Sequence, residues 1–230
     1  MSLYKFILPL KKKHNMVISF ISYKGGVGKT TLSENVAVCF AHTGKSVCIV
    51  DADDSANSVS WSKRRDSDLP KIDVYHEKKE DEIVFKIKEL NEKYDLVIID
   101  SPPAQASISD MIVLMSNLVI VPLLPKGEQE TNTINQLVRK IKSLEVTKEK
   151  KIPVYFVINE FDPRISLHKT FAGSMEKAFG DRILKSRLHN RVVYAEVTHE
   201  GKGVFESADK KAKNEIVTLV NEIGSIITKS

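Results

Sequence analysis

Between positions 24 and 31 the chain reads Lys24-Gly25-Gly26-Val27-Gly28-Lys29-Thr30-Thr31. Three closely spaced glycines let the backbone curl so that successive N–H groups face one point, as an anion requires. A helix opening at Lys29 adds its positive end, the Lys29 ammonium reaches terminal phosphates, and the Thr30 hydroxyl binds Mg²⁺. This is the chemistry of a nucleoside triphosphate. The strict phosphate-loop pattern asks for a further glycine where Tyr23 stands. The pattern fails there, but the physical requirements are met.

Acids accompany the loop. One apolar run ends Val50-Asp51-Ala52-Asp53-Asp54-Ser55, and another ends Ile98-Ile99-Asp100-Ser101-Pro102-Pro103. Carboxylates at the ends of buried strands, beside a phosphate loop, are placed to hold Mg²⁺ or its waters and to orient an attacking water. A lone strand-end aspartate more often caps a helix. Both together, in a chain with the loop, favour the metal.

These groups need a frame. Val17–Tyr23, Ser46–Val50, Leu96–Ile99, Leu118–Val121 and Val154–Ile158 are short apolar runs. Between them lie helical stretches at 29–42, at 81–93 (Ile83, Ile87, Leu90) and at 134–144 (Ile134, Leu137, Val138, Ile141, Leu144). Continuous apolar strands alternating with amphipathic helices predict a doubly wound α/β domain. Its sheet is mostly parallel, with helices on both faces and ligands at the carboxyl ends of the strands. Residues 16–230 read as one such domain. Residues 1–15, apolar first and basic second, are the reverse of a secretory signal and are expected to form a short disordered arm.

The chain has 230 residues, 42% hydrophobic, enough for a sizeable core. Aromatic residues make up 7%, which argues against stacked aromatic platforms for nucleic acid. No run approaches the ~20 apolar residues that span a bilayer. Cys39 and Cys48 have neither zinc nor haem spacing and are expected to be buried thiols. No two of the six histidines have metal-ligand spacing. Trp61 is expected to pack the helix after the acidic motif. Of the net charge of +5, residues 1–15 carry +4. Within the body, residues 139–191 hold thirteen Lys and Arg against six Asp and Glu, a modest pointer to a polyanion.

The loop resembles the deviant Walker A motif of the ParA/MinD superfamily of ATPases, in which the first glycine is missing and an extra lysine precedes the others. Asp51-Ala52-Asp53 matches that family's second acidic motif, and Asp100 its Walker B acid. Val204-Phe205-Glu206-Ser207-Ala208-Asp209, before a last amphipathic helix, is similar to the ParF-like plasmid-partition branch. The resemblance implies a P-loop ATPase using ATP and Mg²⁺. Gly25, Gly26, Val27, Gly28, Lys29, Thr30 and Thr31 would cradle the nucleotide. Lys29 would bind β- and γ-phosphates in its own subunit, and Lys24 would reach across a dimer to the partner's nucleotide. Thr30 would hold the metal, Asp51 and Asp100 its waters, and Asp53 the hydrolytic water. Asn159 matches an adenine-contacting position, and a plain strand-end turn fits it as well. The family usually continues the acidic motif with Pro-Gln. Asp54-Ser55 here would add repulsion unless Asp54 points away or caps the next helix.

The resemblance further implies an ATP-sandwich homodimer that binds DNA without sequence preference. A centromere-binding adaptor of the ParB/ParG kind would release it by stimulating hydrolysis, and the protein would be cytoplasmic and nucleoid-associated. Lys150, Lys151, Lys185, Arg187 and Arg191 are the candidate DNA contacts, with Arg139, Lys140, Lys142, Lys148 and Lys169 in the same basic stretch; a solvated helix face explains these charges equally well. No helix-turn-helix precedes the loop. Two rivals stand: a MinD-like membrane-positioning ATPase and a P-loop small-molecule kinase or ligase. Membrane attachment is not expected, because the last helix sets Ile216, Leu219, Val220, Ile223, Ile226 and Ile227 in one stripe with few basic flanks, a core pattern.

Overall fold

The computed structural model describes residues 15–103, 107–149 and 151–229. The expected disordered arm therefore lies, except for Asn15, outside the described residues. The apolar runs become strands: β1 (Met16–Phe20), β2 (Val47–Asp51), β4 (Leu96–Asp100), β5 (Leu118–Leu123) and β6 (Val154–Ile158). Two short strands, β3 (Asp73–His76) and β7 (Ile183–Arg187), complete a sheet of order β3-β2-β4-β1-β5-β6-β7. Every pairing in it is parallel. All residues of β2, β4 and β5 are buried, because a parallel sheet is covered on both faces.

Among the described residues, eight α-helices supply the cover: α1 (Lys29–Ala41), α2 (Asn57–Ser62), α3 (Glu80–Lys93), α4 (Ser107–Met115), α5 (Glu128–Lys148), α6 (Ser166–Phe179), α7 (Val192–His199) and α8 (Lys210–Lys229). One apolar layer joins α1 and α8 to Ile18, Phe20, Ile49 and Ile98. The other joins α3, α4, α5 and α6 to the alternate residues, Val17, Val50, Val97 and Ile99. This is the period-two alternation of a strand feeding two cores.

Trp61 is fully buried, its Nε1 donating to the Lys202 carbonyl at 3.1 Å, in keeping with its expected packing role. Cys39 and Cys48 are buried free thiols. The 204–209 segment has structural work to do. Asn35 of α1 accepts from the Val204 N–H at 2.7 Å, and the Glu206 carboxylate takes Arg65 and His42 at 2.6 and 2.8 Å. On α8, Ile216, Leu219 and Ile223 are wholly covered, so its apolar stripe is consumed by the core. Among the described residues no helix is long and apolar enough to cross a membrane.

Candidate nucleotide-binding site

The carboxyl edge of β1 turns directly into the loop, and the loop into α1. Gly26 and Gly28 have φ of +70° and +93°, a region that side chains disfavour. A Cβ on Gly28 would also stand 2.3 Å from Asn159 Nδ2. That amide donates to the Val27 carbonyl at 2.9 Å, so the end of β6 clamps the loop from the side. α1 has no side-chain cap. Its first N–H groups are therefore left for an anion.

A cavity of about 470 Å³ opens above the loop, within the range of small-molecule sites. Gly25, Gly26, Gly28, Lys29, Thr30 and Thr31 form its floor, with Asp53 on one side and Asn159 and Glu160 on another. Arg191, Tyr194 and Thr198 close it from α7, an element the sequence reading did not anticipate. Of the expected nucleotide-binding residues, Val27 is buried beneath the loop and Lys24 does not line the cavity.

The two strand-end acids meet because β2 and β4 are paired neighbours in register, Asp51 opposite Asp100. Asp51 is fully covered. One oxygen accepts from the Ser58 and Val59 N–H groups at 2.9 and 3.2 Å, and the other from the Asp53 N–H at 3.2 Å. It thus fastens α2 as a cap would, and the oxygen bonded to Asp53 keeps acceptor capacity for a metal-bound water. Asp100 is 1% exposed, and its Oδ1 is buried without a partner. Burial, with repulsion from Asp51 and Asp53, pushes it up to about 7 against the opposing Thr30 hydrogen bond. Burial also pushes Lys29 down, opposed by Asp100 and Asp53. An orphan carboxylate oxygen, a hydroxyl and a second acid form a hard oxygen set, and that set suits Mg²⁺. Thr30, Asp100 and Asp51 would hold it.

Asp53 lines the cavity, and its Oδ1 accepts from the Ser55 N–H at 2.8 Å. Asp54 points away, pairing with Lys78 at 2.8 Å with 86% of its side chain exposed. The third acid therefore adds little repulsion at the phosphates. The turn has its own strain: Ala56, just before α2, sits at φ +48°.

Residues 18–204 match the model of the CobQ/CobB/MinD/ParA nucleotide-binding domain. The chain belongs to that family. As a ParA/MinD-family protein it falls among partition and positioning ATPases. It is 26% identical over 213 residues to the maintenance of carboxysome distribution protein A of Halothiobacillus neapolitanus, covering 90% of this chain and 95% of that one. A virulence-plasmid ParA-family protein of Chlamydia psittaci is 24% identical, over 90% and 93% of the two chains. The fold is similar to that of the septum site-determining protein MinD of Pyrococcus horikoshii, solved with Mg-ADP. The TM-score is 0.69 at 18% identity, covering 92% and 97% of the two chains.

The candidate DNA contacts do not gather on one face. Lys150 lies outside the described residues. Lys151 precedes β6 and Arg191 follows β7; since the two strands are parallel, these residues stand at opposite ends of the sheet. Arg187 pairs with Glu176 at 2.6 Å and Arg191 with Glu215 at 2.5 Å, whereas Lys151 makes a longer pair with Glu145 at 3.5 Å with 88% of its side chain exposed, and Lys185 is exposed too. Linear charge counting could not see these pairings. It also missed Glu130 of α5, buried against Lys24, and Glu34 of α1, wholly buried behind the loop; neither has a local sequence signal.

Proposed function

We propose that this protein is an ATP-gated homodimeric partition ATPase. Bound to Mg-ATP, it pairs two copies across their nucleotides and binds DNA without sequence preference. It is released when a centromere-binding adaptor stimulates hydrolysis. The observation that carries the reading is the division between the loop's two lysines: Lys29 lines its own cavity and Lys24, five residues away, does not. A second phosphate-loop lysine turned out of its own site can serve another copy's phosphates once it leaves its ion pair with Glu130. ATP then becomes part of the interface, and each site is completed by its partner.

In this reading Lys29 and the loop N–H groups bind the β- and γ-phosphates. Thr30, Asp51 and Asp100 would hold Mg²⁺, which would supply positive charge against the phosphates. Asp53, at the cavity wall, orients the attacking water, and Asn159 both clamps the loop and faces the base. The relatives that distribute carboxysomes or belong to a plasmid support a cargo-positioning role, with a cytoplasmic, nucleoid-associated protein. DNA contact then rests on the exposed Lys151 and Lys185 and their copies in the dimer more than on Arg187 and Arg191, which are held in shorter, more covered ion pairs. The membrane-positioning rival needs a free apolar helix face at the C-terminus, and α8 has spent its own in the core.

The test is retention of a random-sequence duplex, measured with Mg-ATP and with Mg-ADP over a salt series. ATP-dependent binding whose logarithm falls linearly with log salt is expected. Binding indifferent to nucleotide, or no DNA binding at any salt, contradicts the proposal.

A further inference from the structure

Lys24 is turned out of its own cavity toward a specific partner. Its Nζ lies 2.8 Å from Glu130 Oε2, a side chain only 3% exposed, while that of Lys24 is 32% exposed. Glu130 sits in the first turn of α5, and its other oxygen accepts from the Leu124 N–H at 3.4 Å. The corner between β5 and α5 thus fixes the carboxylate. The Lys24 backbone is tied on the opposite side, where its carbonyl accepts from Lys29 Nζ at 3.1 Å and its N–H donates to Ser22 Oγ at 3.2 Å.

We propose that Glu130 is a latch that holds Lys24 within its own chain, and that dimerisation around ATP must exchange this ion pair for the partner's phosphates. The inference rests on the assignment of Lys24 to the partner's nucleotide. Its physical basis is what Lys24 leaves behind. With the ammonium gone, Glu130 is a covered carboxylate with one backbone N–H for company, and an unpaired buried charge is costly. The latch therefore sets a threshold. The γ-phosphate supplies the additional negative charge that draws Lys24 away, whereas a diphosphate offers less in return for the lost pair. Glu130 would thereby be a positioning residue that sharpens the discrimination between ATP and ADP without touching either.

The test is sedimentation velocity over a protein dilution series with Mg-AMPPNP, comparing wild type, Glu130→Gln and Lys24→Ala. Glutamine keeps the shape and the acceptor for Leu124 but removes the charge. The E130Q dimer is expected to persist to about tenfold lower protein concentration, equivalent to ~1.4 kcal/mol. Affinity of the monomer for a fluorescent nucleotide should be unchanged, which also verifies the fold. Glu130→Asp, which keeps the charge but draws it back from Lys24, should shift dimerisation the same way and carries the test if E130Q binds no nucleotide. Dimerisation unchanged or weakened in the variants, with K24A monomeric, overturns the latch alone. K24A dimerising like wild type overturns the assignment of Lys24 to the partner, and the latch with it.

Discussion

Replacing Glu34 with methionine should stabilise the protein, and more so as pH rises. Glu34 has no exposed surface, its Oε1 has no partner, and its Oε2 has only the Thr198 hydroxyl at a distant 3.5 Å. Burial, with repulsion from Asp100, holds this carboxyl well above its ordinary range. A buried polar atom without a partner costs ~1–3 kcal/mol. Methionine has nearly the same length and a flexible chain, so little cavity opens. The gain should therefore be about 1–3 kcal/mol at pH 8, or roughly 2–4 °C in Tm for each kcal/mol. The sign with pH follows from linkage. A carboxyl whose folded pKa lies above the ordinary 4.5 binds its proton more tightly in the native state, so the wild type loses stability as pH climbs above that value. The advantage of E34M should accordingly be small at pH 5 and larger at pH 8, read from urea midpoints. A variant less stable at both pH values, or one whose gain does not change with pH, would refute the reasoning.

Three other outcomes follow from the geometry. Gly28→Ala puts a Cβ 2.3 Å from the Asn159 amide at φ +93°; it should cost about 1–2 kcal/mol in backbone strain alone and abolish nucleotide binding by calorimetry. Asp53→Ala should leave ATP binding intact while phosphate release falls, so that the ATP-bound dimer accumulates. Burial would raise Glu206, but His42, Arg65 and the Gly203 N–H hold it down to about 2. Its stabilisation, about 3 kcal/mol, should be present above the ordinary 4.5 and vanish as pH falls toward 2. Urea midpoints of Glu206→Gln and wild type should therefore converge on acidification.

The loop was legible in the sequence because its chemistry is local: the glycines, Lys29 and Thr30 are consecutive, and only a strand before and a helix after are needed to aim them. The acids were legible as types, but their meeting is a matter of register, Asp51 opposite Asp100 across neighbouring strands. The basic stretch read as a patch only because charge was summed along the chain, and the fold sends Lys151 and Arg191 to opposite ends of the sheet. β7, with Lys185 and Ser186 in its middle, lacks the continuous apolar run that marks an interior strand; it is an edge, and no run was there to find. The Lys24–Glu130 pair joins residues 106 apart, and neither residue carries a local cue to the other.

The proposed function requires ATP to be the glue between two copies. Sedimentation velocity of wild type and Lys24→Ala, each with Mg-ATP, Mg-ADP or no nucleotide, tests it most directly. The wild type should dimerise with Mg-ATP alone, and the K24A variant should bind ATP yet stay monomeric. A wild type that remains monomeric with Mg-ATP would contradict it, as would a K24A variant that dimerises as the wild type does.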